Sequence, residues 1–313
     1  MMENSRLHIH ARSLIYFDTI RRCGSIREAA RRLHVASSAV NRQLLQLEAE
    51  IGTPLFERMP SGLRLTPAGE AFSHHVITVL QDERRLENEL ELIRGVRRGT
   101  VKLMSVEGVN VDLLPTCLER MATRYPTIQI SAHTAGSAQT AEAVINGDAD
   151  VAIGFALPYK ETLRQCAVGR FGLGAIVPPD HPLVRQGSVT FAECARYPLI
   201  LPSPALSTHE VLRPVMAHHK RARTVLLETS SVELAKRLAA RGVGVAFQTR
   251  IGLEQDLADE RLAYLPLKAA IPLTAELGVY VRARRTLPPV LDMFIQIVAR
   301  EIERRAAGDA SRW

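Results

Sequence analysis

The chain is 313 residues long and 46% hydrophobic, enough for two or three domains with apolar cores of their own. Forty Lys and Arg against 33 Asp and Glu leave a formal charge of +7, and the first 66 residues, with ten arginines, no lysine and six acids, hold +4 of it. That concentration suits a polyanionic partner, whereas aromatic residues at 5% are too few for a single-strand binder that stacks bases.

The first readable elements lie between Gly24 and Gly69. Ser25-Ile26-Arg27-Glu28 has the spacing of a capping box, and it opens a short helix whose Ala29, Ala30 and Leu33 form an inward face. His34-Val35 leaves room only for a sharp turn. A second helix follows over about 37–50, with Val40, Leu44 and Leu47 as its buried stripe. The opposite stripe carries Ser37, Ser38, Asn41, Arg42 and Gln46. These residue types bond base edges in a major groove, Asn to adenine, Arg to guanine and hydroxyls to base or phosphate. Any one of them alone is equally compatible with a solvated helix face. Ala36 makes a poor N-cap, which shifts the expected cap to Ser37. Leu55 and Phe56 are expected to plug the small core. Arg58 and Arg64 bracket the turn Pro60-Ser61-Gly62, giving a basic hairpin able to touch phosphate or the minor groove.

With these residues in hand, the segment resembles the DNA-binding domain of LysR-type transcriptional regulators, a winged helix-turn-helix. The match rests on Phe17, Gly24-Ser25-Ile26, Ala29-Ala30, Leu33, Ser38-Ala39-Val40, Arg42-Gln43, Leu47-Glu48, Gly52, Leu55-Phe56, Arg58, Leu65-Thr66 and Ala68-Gly69. Many residues at fixed spacing make it a specific signal. Three positions depart from the family's common pattern: Ala36 and Asn41, where Ser is usual, and Ser37, where Gln is usual. Ser37 and Asn41 lie on the expected reading face, so the operator sequence does not carry over.

Thr66-Pro67 supplies an N-cap and a first-turn proline for a long helix running to about Arg94. Phe72, Val76, Val79, Glu83, Leu86, Leu90 and Ile93 alternate at spacings of four and three, a heptad seam with one polar member. Such a seam between two domains reads as a dimerising helix, which would hold two reading helices one turn of DNA apart. In the family this helix pairs protomers and tetramers are common, so the resemblance implies a homodimer or homotetramer. The basic stretch from Gly95 to Gly99 is expected to be the hinge.

The remainder reads as α/β. Strands are expected at 101–106, 128–132, 151–155, 198–201, 223–228, 243–247 and 277–281, and helices at 113–125, 137–147, 208–219, 232–241 and 289–304, with a loose tail. Strands alternating with helices imply parallel pairing. Leu113-Leu114-Pro115, Tyr125-Pro126, Gly136-Ser137, Gly147-Asp148-Ala149-Asp150 and Gly242-Val243-Gly244 resemble the family's effector domain, which is similar to periplasmic binding proteins. The resulting division is 1–66 winged helix-turn-helix, 67–98 linker and hinge, and 99–306 effector-binding domain, with subdomain I over 100–168 plus 269–306 and subdomain II over 169–268.

Ligands of open α/β sheets bind beyond the carboxyl ends of strands, where helix N-termini offer free N–H groups. That rule nominates Ser105, Ser137, Ser203, Thr208, Ser230 and Gln248 as effector contacts, with Ser231 and Thr249 beside them. Several of these are equally readable as helix caps. A carboxylate is one class of effector that such termini would suit. Glu107 is an acid near the cleft, placed either to face water or to accept from a ligand.

Two other function classes fare worse. An enzyme has no support from GxSxG, GxxxxGK[ST] or HExxH motifs, and the ten histidines form no constellation. An architectural DNA protein leaves a large two-lobed domain without a role. Cys23, Cys117, Cys166 and Cys194 form no CxxC pair and read as reduced thiols, and no cofactor or metal site is expected. No stretch is long and apolar enough to span a bilayer, and Arg6, His8, His10 and Arg12 interrupt any secretory core, so a cytoplasmic protein without a membrane partner is expected. The expected partners are double-stranded DNA, a small-molecule effector, further copies of the chain and RNA polymerase.

Overall fold

A computed structural model describes residues 12–93, 99–218 and 224–310. The chain divides into two compact units, Met1–Val96 and Arg97–Trp313.

Unit 1 comprises α1 (Arg12–Cys23), α2 (Ile26–Leu33), α3 (Ser37–Ile51), the hairpin β1 (Phe56–Met59) and β2 (Gly62–Leu65), and the long helix α4 (Pro67–Ile93). Its core gathers Phe17, Ile20, Ala30, Val40, Leu44 and Leu55, with Leu47, Phe56 and Val76 closing it. Phe17 sits at the centre, 4.9 Å from the ring of Phe72 and 5.2 Å from that of Phe56. Ala29 and Ala30 are buried side by side, which lets α2 cross its neighbours closely.

Capping follows local chemistry, with two differences from expectation. Ser25 caps α2 by accepting from the Glu28 N–H, but the Glu28 carboxylate does not close the box and instead pairs with Arg31 and Arg32. The cap of α3 is Ala36 rather than Ser37, and it offers no side-chain acceptor. His34 turns the chain between the two helices with φ at +55°. Thr66 caps α4 as expected, accepting from the Gly69 N–H at 3.0 Å and donating to the Pro54 carbonyl at 2.8 Å.

Unit 2 begins with β3 (Gly99–Ser105), a 3-10 turn (Glu107–Asn110), α5 (Leu113–Arg124), β4 (Ile128–Thr134), α6 (Ser137–Ile145), β5 (Val151–Phe155) and β6 (Leu163–Val177). It continues with β7 (Val189–Thr190), α7 (Phe191–Cys194), β8 (Leu199–Pro202), α8 (Ser207–His218), β9 (Val225–Thr229), α9 (Val232–Ala240), β10 (Ala246–Thr249), α10 (Glu254–Ala258), β11 (Ala263–Lys268), β12 (Thr274–Arg282) and α11 (Pro289–Ala310). The main sheet runs β4-β3-β5-β12-β6-β11-β7, with β10 also paired to β6, while β8 and β9 form a second parallel pair.

The sheet is mixed rather than parallel throughout. β3, β4 and β5 are parallel, as their connecting helices require, but β12 runs antiparallel to β5 and β6. The fifteen-residue β6 spans two regions of the sheet. Leu163–Gly172 pair with β12, and Leu173–Val177 pair with β10 and β11. Gly172 marks the change of partners: its N–H donates to Asp309 at 2.8 Å and its carbonyl accepts from the Tyr264 hydroxyl at 2.9 Å. Two apolar cores lie on either side. One is built around Leu103, Leu113, Ile153, Leu277 and Phe294, the other around Leu173, Phe191, Leu199, Leu212 and Phe247. We call these regions the first and second lobes.

β6 and β11 are absent from the sequence reading, and so are the short β7, α7 and α10. The expected loose tail is helical as far as Ala310, because Asp309 is tied to Gly172 and buried. The remaining tail residues, 311–313, and the expected hinge, 94–98, lie outside the described residues.

Candidate DNA-reading face and effector cleft

α3 is amphipathic in the sense a reading helix needs. Val40, Leu44 and Leu47 are buried, and Ser37, Ser38, Arg42 and Gln46 are exposed, with Asn41 half-buried at the margin. The 100° step of a helix puts Ser38, Arg42 and Leu45 at the centre of the outward face. Ser37 and Gln46 fall on its two flanks, and Gln46 donates to Glu50 at 3.1 Å. Sequence reasoning misses Leu45 because it looks like one more core leucine. It is 57% exposed, two turns on from Ser38 and one turn on from Arg42, and an apolar contact there is what a thymine methyl would meet.

The wing is set in place by backbone. Leu63 N–H donates to the Gly24 carbonyl at 2.8 Å, so β2 hangs from the α1–α2 turn. Gly62 has φ at +129°, and a Cβ there would lie 2.6 Å from the same oxygen, so only glycine fits. Glu48 secures the other end: its carboxylate accepts from the N–H groups of Leu55 at 2.7 Å and Phe56 at 3.2 Å. Arg58 and Arg64 are both exposed, but the register pairs Arg58 with Leu63 and Arg64 with Glu57. The two arginines therefore project from opposite faces of the hairpin, and Arg64 has an acid as its cross-strand neighbour.

In unit 2 the six nominated effector residues fall into three states. Ser105 and Ser137 are already engaged within the first lobe: Ser105 is buried and donates to the Asn110 amide oxygen at 2.7 Å, and Ser137 donates to the Phe155 carbonyl at 3.1 Å. Asn110 in turn donates to Thr134 at 2.7 Å, so a polar chain lines the end of β3. Gln248 is buried and donates to the Ile251 carbonyl at 2.9 Å. Thr208 lies inside the first turn of α8, which begins at Ser207, and so does not cap it. Ser230 is exposed, and Ser231 alone caps α9, accepting from the Leu234 N–H. Ser203 differs from all of these: its hydroxyl is buried at the end of β8 and has no hydrogen-bond partner among the described residues.

Glu107 is half-buried and engaged by protein donors. Its carboxylate accepts from the Ser231 hydroxyl at 3.1 Å and from the N–H groups of Val232 at 2.9 Å and Glu233 at 3.2 Å, reaching from the first lobe onto the start of α9.

A cavity of about 380 Å³ opens elsewhere, over Phe171, Ile251 and Leu257 between α10 and the end of α11. None of the six nominated residues lines it. Its walls hold Arg305, which is saturated by Asp112 at 2.5 Å, Glu301 at 2.8 Å and Glu254. Behind it Glu301 is fully buried. Burial pushes its carboxyl up, but hydrogen bonds and charge from Arg304 and Arg305 outweigh that and bring it down to about 2. These groups neutralise one another, so the cavity offers a ligand little that is unpaired.

A helix-turn-helix with a wing, followed by a two-lobed α/β unit, defines a DNA-binding regulator with a sensing domain. Comparison with known proteins agrees. Residues 11–70 match the family described as "Bacterial regulatory helix-turn-helix protein, lysR family", and residues 94–303 match the "LysR substrate binding domain". The chain belongs to the LysR family of transcriptional regulators. The RuBisCO operon transcriptional regulator of Allochromatium vinosum is 25% identical over 298 residues, which cover 95% of this chain and 98% of that protein. Full-length OxyR from Pseudomonas aeruginosa, solved as a cysteine-to-aspartate variant, superposes with a TM-score of 0.69 at 20% identity, covering 95% of each chain. Full-length CbnR complexed with its target DNA gives 0.55 at 21% identity, covering 93% of this chain and 99% of that one. Both share the fold with this protein.

Proposed function

We propose that unit 1 reads duplex DNA with the outward face of α3, where Ser38, Asn41, Arg42 and Leu45 meet base edges and Ser37 and Gln46 border the groove. Arg58 and Arg64 extend the contact through the wing. The observation that carries this reading is the two-sidedness of α3: its three apolar anchors are buried while the arginine, hydroxyls and one leucine opposite them are presented to solvent. The first turn of α3 receives no acceptor from the Ala36 side chain; the Ala39 N–H bonds the Ala36 carbonyl at 3.0 Å, and the Ser37 and Ser38 N–H groups are left for a phosphate oxygen. The protein acts as a homodimer or homotetramer paired through α4, works in the cytoplasm and communicates with RNA polymerase. It is not an enzyme. Its effector is a small molecule held between the two lobes, with Ser203 as its first polar anchor, because a buried hydroxyl without a partner is what a ligand acceptor would satisfy. A carboxylate is the class we carry forward for the end of the cleft near Ser105 and Ser137.

Anisotropy with an operator duplex tests the DNA half. Arg42→Ala is expected to weaken specific binding about ten- to hundredfold, roughly the 1–3 kcal/mol of one bidentate base contact, with little change on random duplex. Equal losses on both duplexes would assign Arg42 to phosphate instead. The sensing half predicts that Ser203→Ala abolishes the effector's influence on DNA binding while basal DNA affinity stays as it was.

A further inference from the structure

Glu107 and α9 are far apart in sequence, 124 residues from Glu107 to Ser231, yet one carboxylate takes up the start of that helix. Glu107 opens the 3-10 turn after β3, in the first lobe, whereas α9 belongs to the second. One carboxylate oxygen accepts from the Ser231 hydroxyl and the Glu233 N–H, the other from the Val232 N–H. These are donors that a helix leaves unpaired at its N-terminus, and they carry the positive end of its dipole. An anion from solution would be drawn to the same donors.

The neighbouring backbone is built to the same contact. Gly252, with φ at +80°, faces the carbonyl of Gly108, and a Cβ on Gly252 would sit 2.6 Å from that oxygen. A side chain at this position would hold the segment after β10 away from the turn that carries Glu107. Gly252 is itself held, with its N–H donating to Glu254 at 2.8 Å, and Glu254 is ion-paired with Arg305 of the first lobe.

We infer that Glu107 is an internal ligand of α9: it latches the two lobes together and denies the start of α9 to anions from solution. The inference rests on the effector-cleft reading only for its consequence, which concerns how an effector is oriented. A tethered carboxylate competes at an effective concentration of roughly millimolar or more. A free anion therefore has to displace it and then tolerate it nearby. An anionic effector is directed to the Ser105–Ser137 end, and the part of the ligand beside α9 is uncharged.

Hydrogen exchange on the full chain tests this without DNA or effector, so it can fail or succeed independently of the effector reading. The variants are Glu107→Ala and the near-isosteric Glu107→Gln, and the probe is sodium sulfate against sodium chloride at matched ionic strength. In Glu107→Ala the Val232 and Glu233 amides are expected to exchange about tenfold faster, the loss of one or two charge-assisted bonds, with β5 amides unchanged. Sulfate should slow those amides in the variant and leave the wild type unaffected. Unchanged exchange in Glu107→Ala would remove the latch, and equal protection of both proteins by sulfate would remove the exclusion of anions. Should the alanine variant fail to fold, as β5 exchange would reveal, Glu107→Gln is read by the same two amides. It keeps the volume but loses the charge, so partial acceleration with partial sulfate protection is expected, and wild-type exchange would overturn the proposal.

Discussion

Single residues decide how this protein meets its partners, and Ala36 is the clearest instance. A serine, threonine, asparagine or aspartate at the N-cap of α3 would satisfy the helix's own first-turn N–H groups. Alanine cannot, and apart from the Ala39 N–H, which bonds the Ala36 carbonyl, the donors at the start of the proposed reading helix get no cap. Ala36→Ser is therefore expected to act in opposite directions on the two properties. It should stabilise unit 1 by about 0.5–1 kcal/mol while weakening DNA binding and making the slope of log affinity against log salt shallower. Thermal melts and a salt titration by anisotropy would show it, and a variant both more stable and tighter on DNA would refute the phosphate role. Residues are legible in the sequence where their chemistry is local. Ser25, Thr66, Leu55 and Phe56 behave as their neighbours dictate. Glu107 and Leu45 are not legible, for a common reason: their roles depend on what lies across space. An acid beside a cleft gives no sign that a helix more than a hundred residues later will point its N-terminus at it.

At the scale of elements, the short amphipathic helices are readable because one helical period explains every buried position in α3. β6 is not, because it carries glycines at 169, 172 and 174 and arginines at 164 and 170 where a strand pattern would have apolar side chains. Those at 169 and 174 are accommodations to packing: a Cβ at Gly174 would enter the ring of Tyr264 on the neighbouring strand, and one at Gly169 would strike Ile302. α4 shows both outcomes in one helix. The first two members of its heptad seam, Phe72 and Val76, are absorbed into the core of unit 1. Beyond them Val79, Glu83 and Leu90 are only half-buried, and Leu86 is 38% exposed. That remaining stripe is the portion we assign to pairing with a second copy. Leu86→Glu places a charge in it and is expected to shift the sedimentation equilibrium toward monomer. Affinity for a two-half-site duplex should drop more than about tenfold through lost avidity, while a single half-site is bound as before. An unaltered oligomer would assign the seam to contacts within one chain.

For the whole molecule, the division into two compact units with separate cores predicts that they respond separately to conditions. Heating should resolve two transitions, and duplex DNA should raise the one belonging to unit 1, since only the folded unit binds it. Acid should act on the other. Glu301 is fully buried among Arg120, Arg304 and Arg305, and its carboxyl is held at about 2, below the value it takes in an unfolded chain. A depressed carboxyl contributes stability that is fully present above its unfolded pKa of about 4.3 and is lost as the pH falls through the window down to about 2. The unit 2 transition should therefore fall in temperature between about pH 5 and pH 2 with a slope that Glu301→Gln flattens. At neutral pH the same variant should be less stable by about 1–3 kcal/mol, the loss of charge-assisted hydrogen bonds, since Arg305 keeps Asp112 and Glu254 and the Arg120 and Arg304 side chains reach solvent. Calorimetry across that range separates the effects: a wild-type unit 2 transition independent of pH would mean the carboxylate is not held by its arginines, and a loss at neutral pH with the slope intact would place the acid sensitivity in other groups.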